Sequence, residues 1–364
     1  MNRKSIVATT KSLMYTRIVS KLAPALPEQA HVPTRSKNGL KIAIICDPMT
    51  WENMCQEQVV ISLSPKTWQQ AFEMQQFDFF FCEAAWSGVA NASWRGQIYK
   101  DGRVFYENRR ELLKILAYCK STDIPSVFWA KEDPTYFQDA VYDFTDTALK
   151  FDYILTTAEE CIPKYHELGH TDVHLWSFGF SPELYFPPKD NEKSREKVAV
   201  FAGSWFTEHP NRCKELTDIF EMILIEGIPL QIYDRNRKAG KSKKPFPEKY
   251  QSYVSDAISY DALGELYRNV EFAININTVK DSNTMFSRRV YEAMACGCIV
   301  ITNESIGLRS QFGDKLWFLG ETFNFANKES IRKQNIETVF RLHTWNQRVE
   351  QLCMLIGDGE ETKK

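Results

Sequence analysis

The chain has 364 residues, which is too long for one ordinary core and about right for two domains of roughly 150 residues each. Hydrophobic residues make up 43%, charged residues 25% and aromatics 13%, a composition that excludes a largely disordered chain. A formal net charge of −2 provides no overall field to gather nucleic acid, so nucleic acid is excluded as the main partner and any basic patch is local.

The first 39 residues form a basic extension. Arg3, Lys4, Lys11, Arg17 and Lys21 occur with no acid before Glu28, and Ile6, Val7, Leu13, Met14, Ile18 and Leu22 recur at helical spacing. A basic amphipathic helix over residues 1–25 is the expectation, read either as a peripheral membrane contact or as a helix packed on the body or a frayed terminus. From Leu40 to residue 180, short apolar runs alternate with helix-length segments. KIAIICD, QFDFFFCEAAW, PSVFWAKED and FDYILTT read as strands, with ENRRELLKILAYCKST among the helices between them. This alternation predicts a doubly wound α/β domain with a parallel sheet. Residues 181–197, rich in proline and charge, read as a linker.

The alternation restarts over 198–335 with VAVFAGS, a helix from Arg212 to Ile225, PLQIYD, the helix DALGELYRN, EFAININ, the helix FSRRVYEAMACG and CIVITN. A closing amphipathic helix is expected over 336–356, returning toward the first domain, then a disordered tail over 357–364. Nine cysteines scattered through apolar runs suit buried thiols in a reducing compartment. The close pair Cys296 and Cys298 lacks companions for a zinc site, so no metal is expected. No apolar run reaches the roughly 20 residues that span a bilayer, which leads to the expectation of a cytoplasmic protein, with membrane contact confined to its inner face.

Open parallel sheets bind ligands beyond the carboxyl ends of their strands. In the second domain such a loop follows VAVFA at Gly203 and Ser204. The helix expected to start near Phe286 has Ser287 in its first turn, then Arg288, Arg289 and, further along, Glu292. Ser287, the helix amides and one arginine suit a diphosphate, and Glu292, a turn deeper, suits a ribose diol. The competing reading is an ordinary intrahelical salt bridge worth tenths of a kcal/mol. In the first domain, Glu83, Glu132 and Asp133 lie just past strand ends. A carboxylate there suits general-base work on a hydroxyl, with Asp133 favoured and Glu83 next. For Asp133 the competing role is capping a turn before Pro134. Trp86, Trp94, Trp129 and Tyr136 are read as core more than as sugar-stacking faces. The basic run from Arg235 to Lys249 suits an anionic acceptor, a lipid head group or a plain solvated loop.

FSRRVYEAMACGCIVIT resembles the donor-site signature of GT-B glycosyltransferases of the group 1 type, and most closely the spore maturation or CgeB-like branch. FAGSWFTEHPNRCKEL looks like the segment that opens the donor domain, and LHTWNQRVEQL like its closing helix. The resemblance implies two Rossmann-like domains facing a cleft and a nucleoside-diphosphate-sugar as donor substrate, with no other cofactor. It implies donor contacts from Gly203, Ser204, Arg212, Ser287, Arg289 and Glu292, with Tyr233, Ser259 and Tyr260 framing the base. The implied activity is hexosyl-type transfer to a cell-surface polymer, glycan, lipid-linked or spore-coat acceptor. Thr284 stands where many retaining relatives carry a further glutamate, which leaves inversion or retention open. The alternatives are a catalytically degenerate binding protein or another nucleotide-sugar enzyme such as an epimerase. No G-x-G-x-x-G follows the first strand, which argues against a dehydrogenase.

If residues 1–25 hold the protein to anionic membranes, a truncation beginning at Leu40 loses flotation with anionic liposomes that the full chain shows; equal flotation of the two assigns the segment to the body.

Overall fold

The computed structural model describes residues 30–31, 39–89, 93–189 and 195–361. The expected helix over residues 1–25 lies outside them. The chain divides into two compact units, residues 1–177 with 350–364, and residues 178–349.

In the first unit the apolar runs become strands β1 (Ala30–His31), β2 (Lys41–Ile45), β3 (Val59–Ser62), β4 (Phe79–Glu83), β5 (Ser126–Ala130), β6 (Tyr153–Thr156) and β7 (Val173–Leu175). Every residue of β4, β5 and β6 is buried, as expected of strands covered on both faces. The order across the sheet is β1-β3-β2-β4-β5-β6-β7, with only the β1 edge antiparallel. The chain runs from β2 out to β3, then returns past β2 to β4. The reversal point therefore lies between β2 and β4, where such sheets open a crevice at their carboxyl ends. The helices of this unit are α1 (Pro48–Met54), α2 (Trp68–Met74), α3 (Arg110–Ser121), α4 (Phe144–Ala148) and α5 (Ile162–Glu167). α3 shows why the pattern folds so: Leu112, Ile115, Leu116 and Cys119 recur at helical spacing and are its buried face.

The second unit has strands β8 (Glu196–Gly203), β9 (Leu230–Asp234), β10 (Val254–Ser255), β11 (Val270–Ile274), β12 (Ile299–Thr302) and β13 (Trp317–Phe318). Their order is β10-β9-β8-β11-β12-β13, all parallel, and the reversal lies between β8 and β11. Alternate strand residues feed two cores. Val200, Ala273 and Val300 face one, while Phe201, Phe272, Ile274, Ile299 and Ile301 face the other. Around the sheet lie α6 (Pro210–Ile225), α7 (Tyr260–Asn269), α8 (Arg289–Ala295), α9 (Ile306–Phe312) and α10 (Lys328–Leu342), and the chain continues from α10 into α11 (Trp345–Glu361).

Several boundaries differ from the sequence expectation. Helix α8 starts at Arg289 rather than near Phe286, because Phe286 is buried against Tyr291 and Phe312 and the Ser287 amide donates to Asn277 Oδ1 at 3.0 Å. The closing segment is two helices. Thr344 and Gln347 form a reciprocal cap, Thr344 N donating to Gln347 Oε1 at 2.9 Å and Gln347 N to Thr344 Oγ1 at 3.3 Å, and Phe180 pairs with the chain at this break. α11 belongs to the first unit from Glu350 onward. It continues to Glu361, so residues 357–361 of the expected tail are helical; extending a formed helix adds one backbone bond per residue fixed and avoids the cost of a new nucleus.

The division between units falls at 177/178, so the described part of 181–197 belongs to the second unit. Tyr185 is fully buried there, and Arg268 of α7 donates to Leu184 O and stacks on the Phe186 ring at 4.0 Å. Gly264 makes this contact possible, since a Cβ at that position would lie 2.2 Å from Leu184 O. Gly264→Ala therefore forces backbone apart, and chemical denaturation should show a loss of about 1–3 kcal/mol.

Candidate functional site

At the reversal point of the second unit, β8 ends at Gly203 and β11 leads into Asn275 and Asn277. Four arginines converge here. Arg212, in the first turn of α6, is buried; it donates to Ser204 O at 3.2 Å and lies 4.9 Å from the Phe206 ring centre. Burial, reinforced by the Arg289 and Arg235 charges, pulls its pKa down to about 10. Arg289 donates to Ala202 O at 2.6 Å and lies 5.5 Å from the Phe201 ring centre. Arg235 follows β9 and feels both Arg288 and Arg289. Among the described residues, Arg212, Arg235 and Arg289 form no ion pair with a carboxylate. Like charges gathered at the carboxyl end of a sheet favour an anion that neutralises them.

Arg288 differs from its neighbour. Its Nε lies 3.2 Å from Glu292 Oε1 and its head group lies over the Tyr260 ring at 5.4 Å. Glu292 is 2% exposed, and its Oε1 accepts no hydrogen bond despite the ion pair. Asn277 Nδ2 is also buried without a hydrogen-bond partner. Orphan polar atoms in a core carry a cost of about 1–3 kcal/mol each, which a hydroxylated ligand relieves. Asn277 is held by the strand ends: its amide donates to Asn303 Oδ1 at 2.9 Å, and Asn303 donates onward to Glu215 at 2.8 Å.

Of the residues expected to bind a donor, Gly203, Ser204, Arg212, Ser287, Arg289 and Glu292 lie around this point. Tyr233 is half-buried on β9, and Ser259 and Tyr260 stand at the start of α7. Arg235, Asn277 and Asn303 were missed. In the sequence Arg235 is the first charge of a basic run, and Asn277 and Asn303 lie in ININ and VITN within three residues of a strand end, the one signal that marks them. The run itself includes a hairpin, Arg237–Lys238 paired with Lys241–Ser242, tied to β9 by the Ser242 hydroxyl donating to Asp234.

The first unit gathers acidic groups at its own reversal point. Lys131, just past β5, pairs with Glu83 at the end of β4, with Asp47 after β2 at 3.2 Å and with Glu132 at 3.7 Å. Asp47 also accepts the amides of Trp86, Ser87 and Gly88 at 2.9, 2.9 and 3.0 Å. Burial would raise the Asp47 pKa, but Lys131 and these amides outweigh it and hold the carboxyl below its usual range. Glu83 is fully buried, and burial pushes it up to about 7 against the pull of Lys131. Asp133 is buried too; burial lifts it to about 7 although Thr156 and Tyr165 donate to Oδ2 at 2.7 and 3.1 Å. Asp47 and Lys131 were not singled out from sequence, since 84 residues separate them. Trp94 and Trp129 are core, while Trp86 and Tyr136 are half-buried in one aromatic cluster with ring centres 5.0 Å apart.

Eight of the nine cysteines, including Cys296 and Cys298, are buried free thiols, and no group of three potential metal ligands occurs among the described residues. No described helix is long and apolar enough to cross a membrane.

Residues 224–354 match a protein-family model described as glycosyl transferase-like. That stretch is similar to a glycosyl transferase domain. It contains Arg235, Asn277, Arg288, Arg289 and Glu292. Over 195 residues the chain is 24% identical to the spore protein CgeB of Bacillus subtilis (strain 168), covering 52% of this chain and 59% of that protein. The match thus spans little more than half of the relative's length. Among solved structures, Anabaena HepE in complex with UDP and glucose aligns with a TM-score of 0.50 at 12% identity, over 88% of this chain and all of that one. The sucrose-phosphate synthase of Thermosynechococcus elongatus aligns at 0.49 and 13% identity, over 82% and 77%. The two doubly wound parallel-sheet units are those of the GT-B fold.

Because Asp133 has a folded pKa near 7 against about 3.9 unfolded, its protonated form is the one the fold favours, and its contribution is lost as pH rises from about 4 to 7. Asp133→Asn should therefore gain stability relative to wild type as pH rises across that window, measured by paired denaturation curves at pH 5 and pH 8.

Proposed function

We propose that the protein is a glycosyltransferase that takes a sugar from a nucleoside-diphosphate-sugar held in the second unit. The observation that carries this reading is the convergence of Arg212, Arg235 and Arg289 on one strand-end crevice with no carboxylate to pair them. Their natural counterion is a diphosphate, which bridges several guanidinium groups at once and becomes the leaving group. Arginines aimed at the diphosphate stabilise the charge that grows on it as the bond to the sugar breaks, so no metal or other cofactor is needed for this step. Glu292, ion-paired to Arg288 and short of a hydrogen bond, takes the ribose hydroxyls. Tyr233, Ser259 and Tyr260 lie at the strand end and helix start that flank the arginines, and suit the base. The Gly203–Ser204 turn brings backbone close to the phosphates.

The acceptor in this proposal is a cell-surface polymer, glycan or spore-coat component. Its support is the similarity to a protein whose name places it in the spore. The work is assigned to the cytoplasmic side of the cell.

A thermal-shift screen of UDP, GDP, ADP, TDP and CMP tests the donor site. At a hundredfold excess over Kd, one nucleotide should stabilise the protein by about 2.7 kcal/mol, a shift on the order of 5 °C or more. Arg212→Ala and Glu292→Ala should each abolish most of that shift while keeping the unliganded melting cooperative. A full shift in both variants, or no shift with any nucleotide, would defeat the assignment.

A further inference from the structure

The basic run that follows β9 is not used up by the donor reading. Residues 235–249 hold seven cations and one acid, Glu248. Arg235 belongs to the arginine group of the crevice. Arg237 pairs with Asp256 at 3.3 Å, Lys244 with Glu208, and Lys249 with Glu221 at 2.7 Å. Lys238, Lys241 and Lys243 are exposed, and none of the three pairs with a carboxylate among the described residues.

These three lysines stand on a fixed frame. In the hairpin Arg237 is opposite Ser242 and Lys238 is opposite Lys241. The turn between them holds Ala239 at φ 49° and Gly240 at φ 76°, the left-handed geometry of a two-residue hairpin, which alanine adopts only at a cost. Local preference does not choose this turn; bonds to the body of the unit do. Asn236 N donates to Asp234 Oδ1 at 2.8 Å, Arg237 Nη1 to Val254 O at 2.7 Å, Gly240 N to Asp256 Oδ1 at 3.0 Å and Ala257 N to Arg237 O at 3.1 Å. Lys238 and Lys241 are thereby kept directly across from each other, at a Cα separation of about 5.5 Å, where like charges repel. A loop that only had to be soluble gains nothing from two lysines fixed face to face.

The composition of this surface selects its partner. Phe246 and Tyr250, the large apolar side chains of the run, are buried, so the hairpin offers nothing to acyl chains in the way an interfacial membrane anchor does. What it offers is a short row of ammonium groups on a narrow ribbon, which complements anions repeated along an extended chain. We propose that Lys238, Lys241 and Lys243 bind a linear polyanion, a glycan that carries carboxylate or phosphate groups at intervals, and that this chain is the acceptor polymer. Its role as acceptor rests on the glycosyl-transfer reading above; its binding to the hairpin does not. The hairpin begins two residues past Arg235, at the strand end assigned to the donor diphosphate, and an anionic acceptor brought there is repelled by that diphosphate. Lysines that no carboxylate of the protein has neutralised offset the repulsion.

The test measures binding of the full chain to alginate, a polyuronate, and to polyphosphate, with neutral dextran as the control. Wild type is compared with the triple variant Lys238→Ala, Lys241→Ala, Lys243→Ala, and with a variant that loses the same charge at exposed positions elsewhere, Lys120→Ala, Lys214→Ala, Lys333→Ala. Wild type should bind at least one of the polyanions at low salt and leave dextran unbound. The hairpin variant should bind about a hundredfold more weakly, roughly fivefold per lysine, and its slope of log K against log salt should flatten by about two. It should also melt no lower than wild type, since an opposed like-charge pair is removed, and it should keep the full nucleotide-induced thermal shift. Equal weakening in the control variant reduces the effect to net charge and overturns the proposal. So does a wild type that binds neither polyanion, or that binds anionic vesicles or single-stranded DNA more tightly than both. Hairpin-dependent polyanion binding without any nucleotide shift defeats the donor reading and leaves the polyanion surface standing; a nucleotide shift without polyanion binding does the reverse.

Discussion

Like charges held together at the end of a parallel sheet are the condition around which both units are arranged. In the second unit the charges are guanidinium groups and in the first they are carboxylates around one lysine. Neither set stabilises the fold on its own account. Each is carried by a core whose strands are buried on both faces, and each sits where the strand order reverses and flanking loops diverge. The sheets supply rigidity, and the crevices carry the electrostatic cost.

The supporting network is largely polar and buried. Asn277 and Asn303 lock the loops after β11 and β12 together, and Glu215 of α6 ties that pair to Lys280. On the opposite side of α8, Arg195 donates to the carbonyls of Tyr267, Val270 and Cys296, and Arg332 to that of Gly297. These cations satisfy carbonyls left open at helix ends, so α8 is fixed at its carboxyl end while its amino end carries Arg289 and Glu292 toward the site. The seven residues of α8 are too few to hold a helix in isolation; tertiary bonds keep it in place.

In the second unit His343 and Tyr291 serve as packing. His343 stacks on Tyr291 at 4.4 Å and accepts from Arg348 at 2.8 Å, and burial followed by the Arg348 charge holds its pKa down to about 3. It is a neutral ring across the physiological range. The same segment breaks the closing helix in two, because Thr344 and Gln347 satisfy each other's amides and Phe180 takes the carbonyl and amide on either side.

Much of this was legible in the residues alone. Alternating apolar runs determined two parallel α/β units, since strands buried on both faces read as continuous hydrophobic stretches. The run from Ser287 to Glu292 marked the helix start, because charges at three- and four-residue spacing beside a fully apolar helix end are inconsistent with a free surface. The T-x-x-Q at Thr344 is equally readable as a cap. What sequence could not supply was partnership at a distance. Asp47 and Lys131 meet across 84 residues, and Arg212 and Arg235 reach Arg289 only through the strand order. Nor could it distinguish Glu83, Glu132 and Asp133, three carboxylates at strand ends. Burial seals the first, hydroxyl donors occupy the third, and partial exposure leaves the second accessible, because solvent access is a property of the packed surface and not of the residue type.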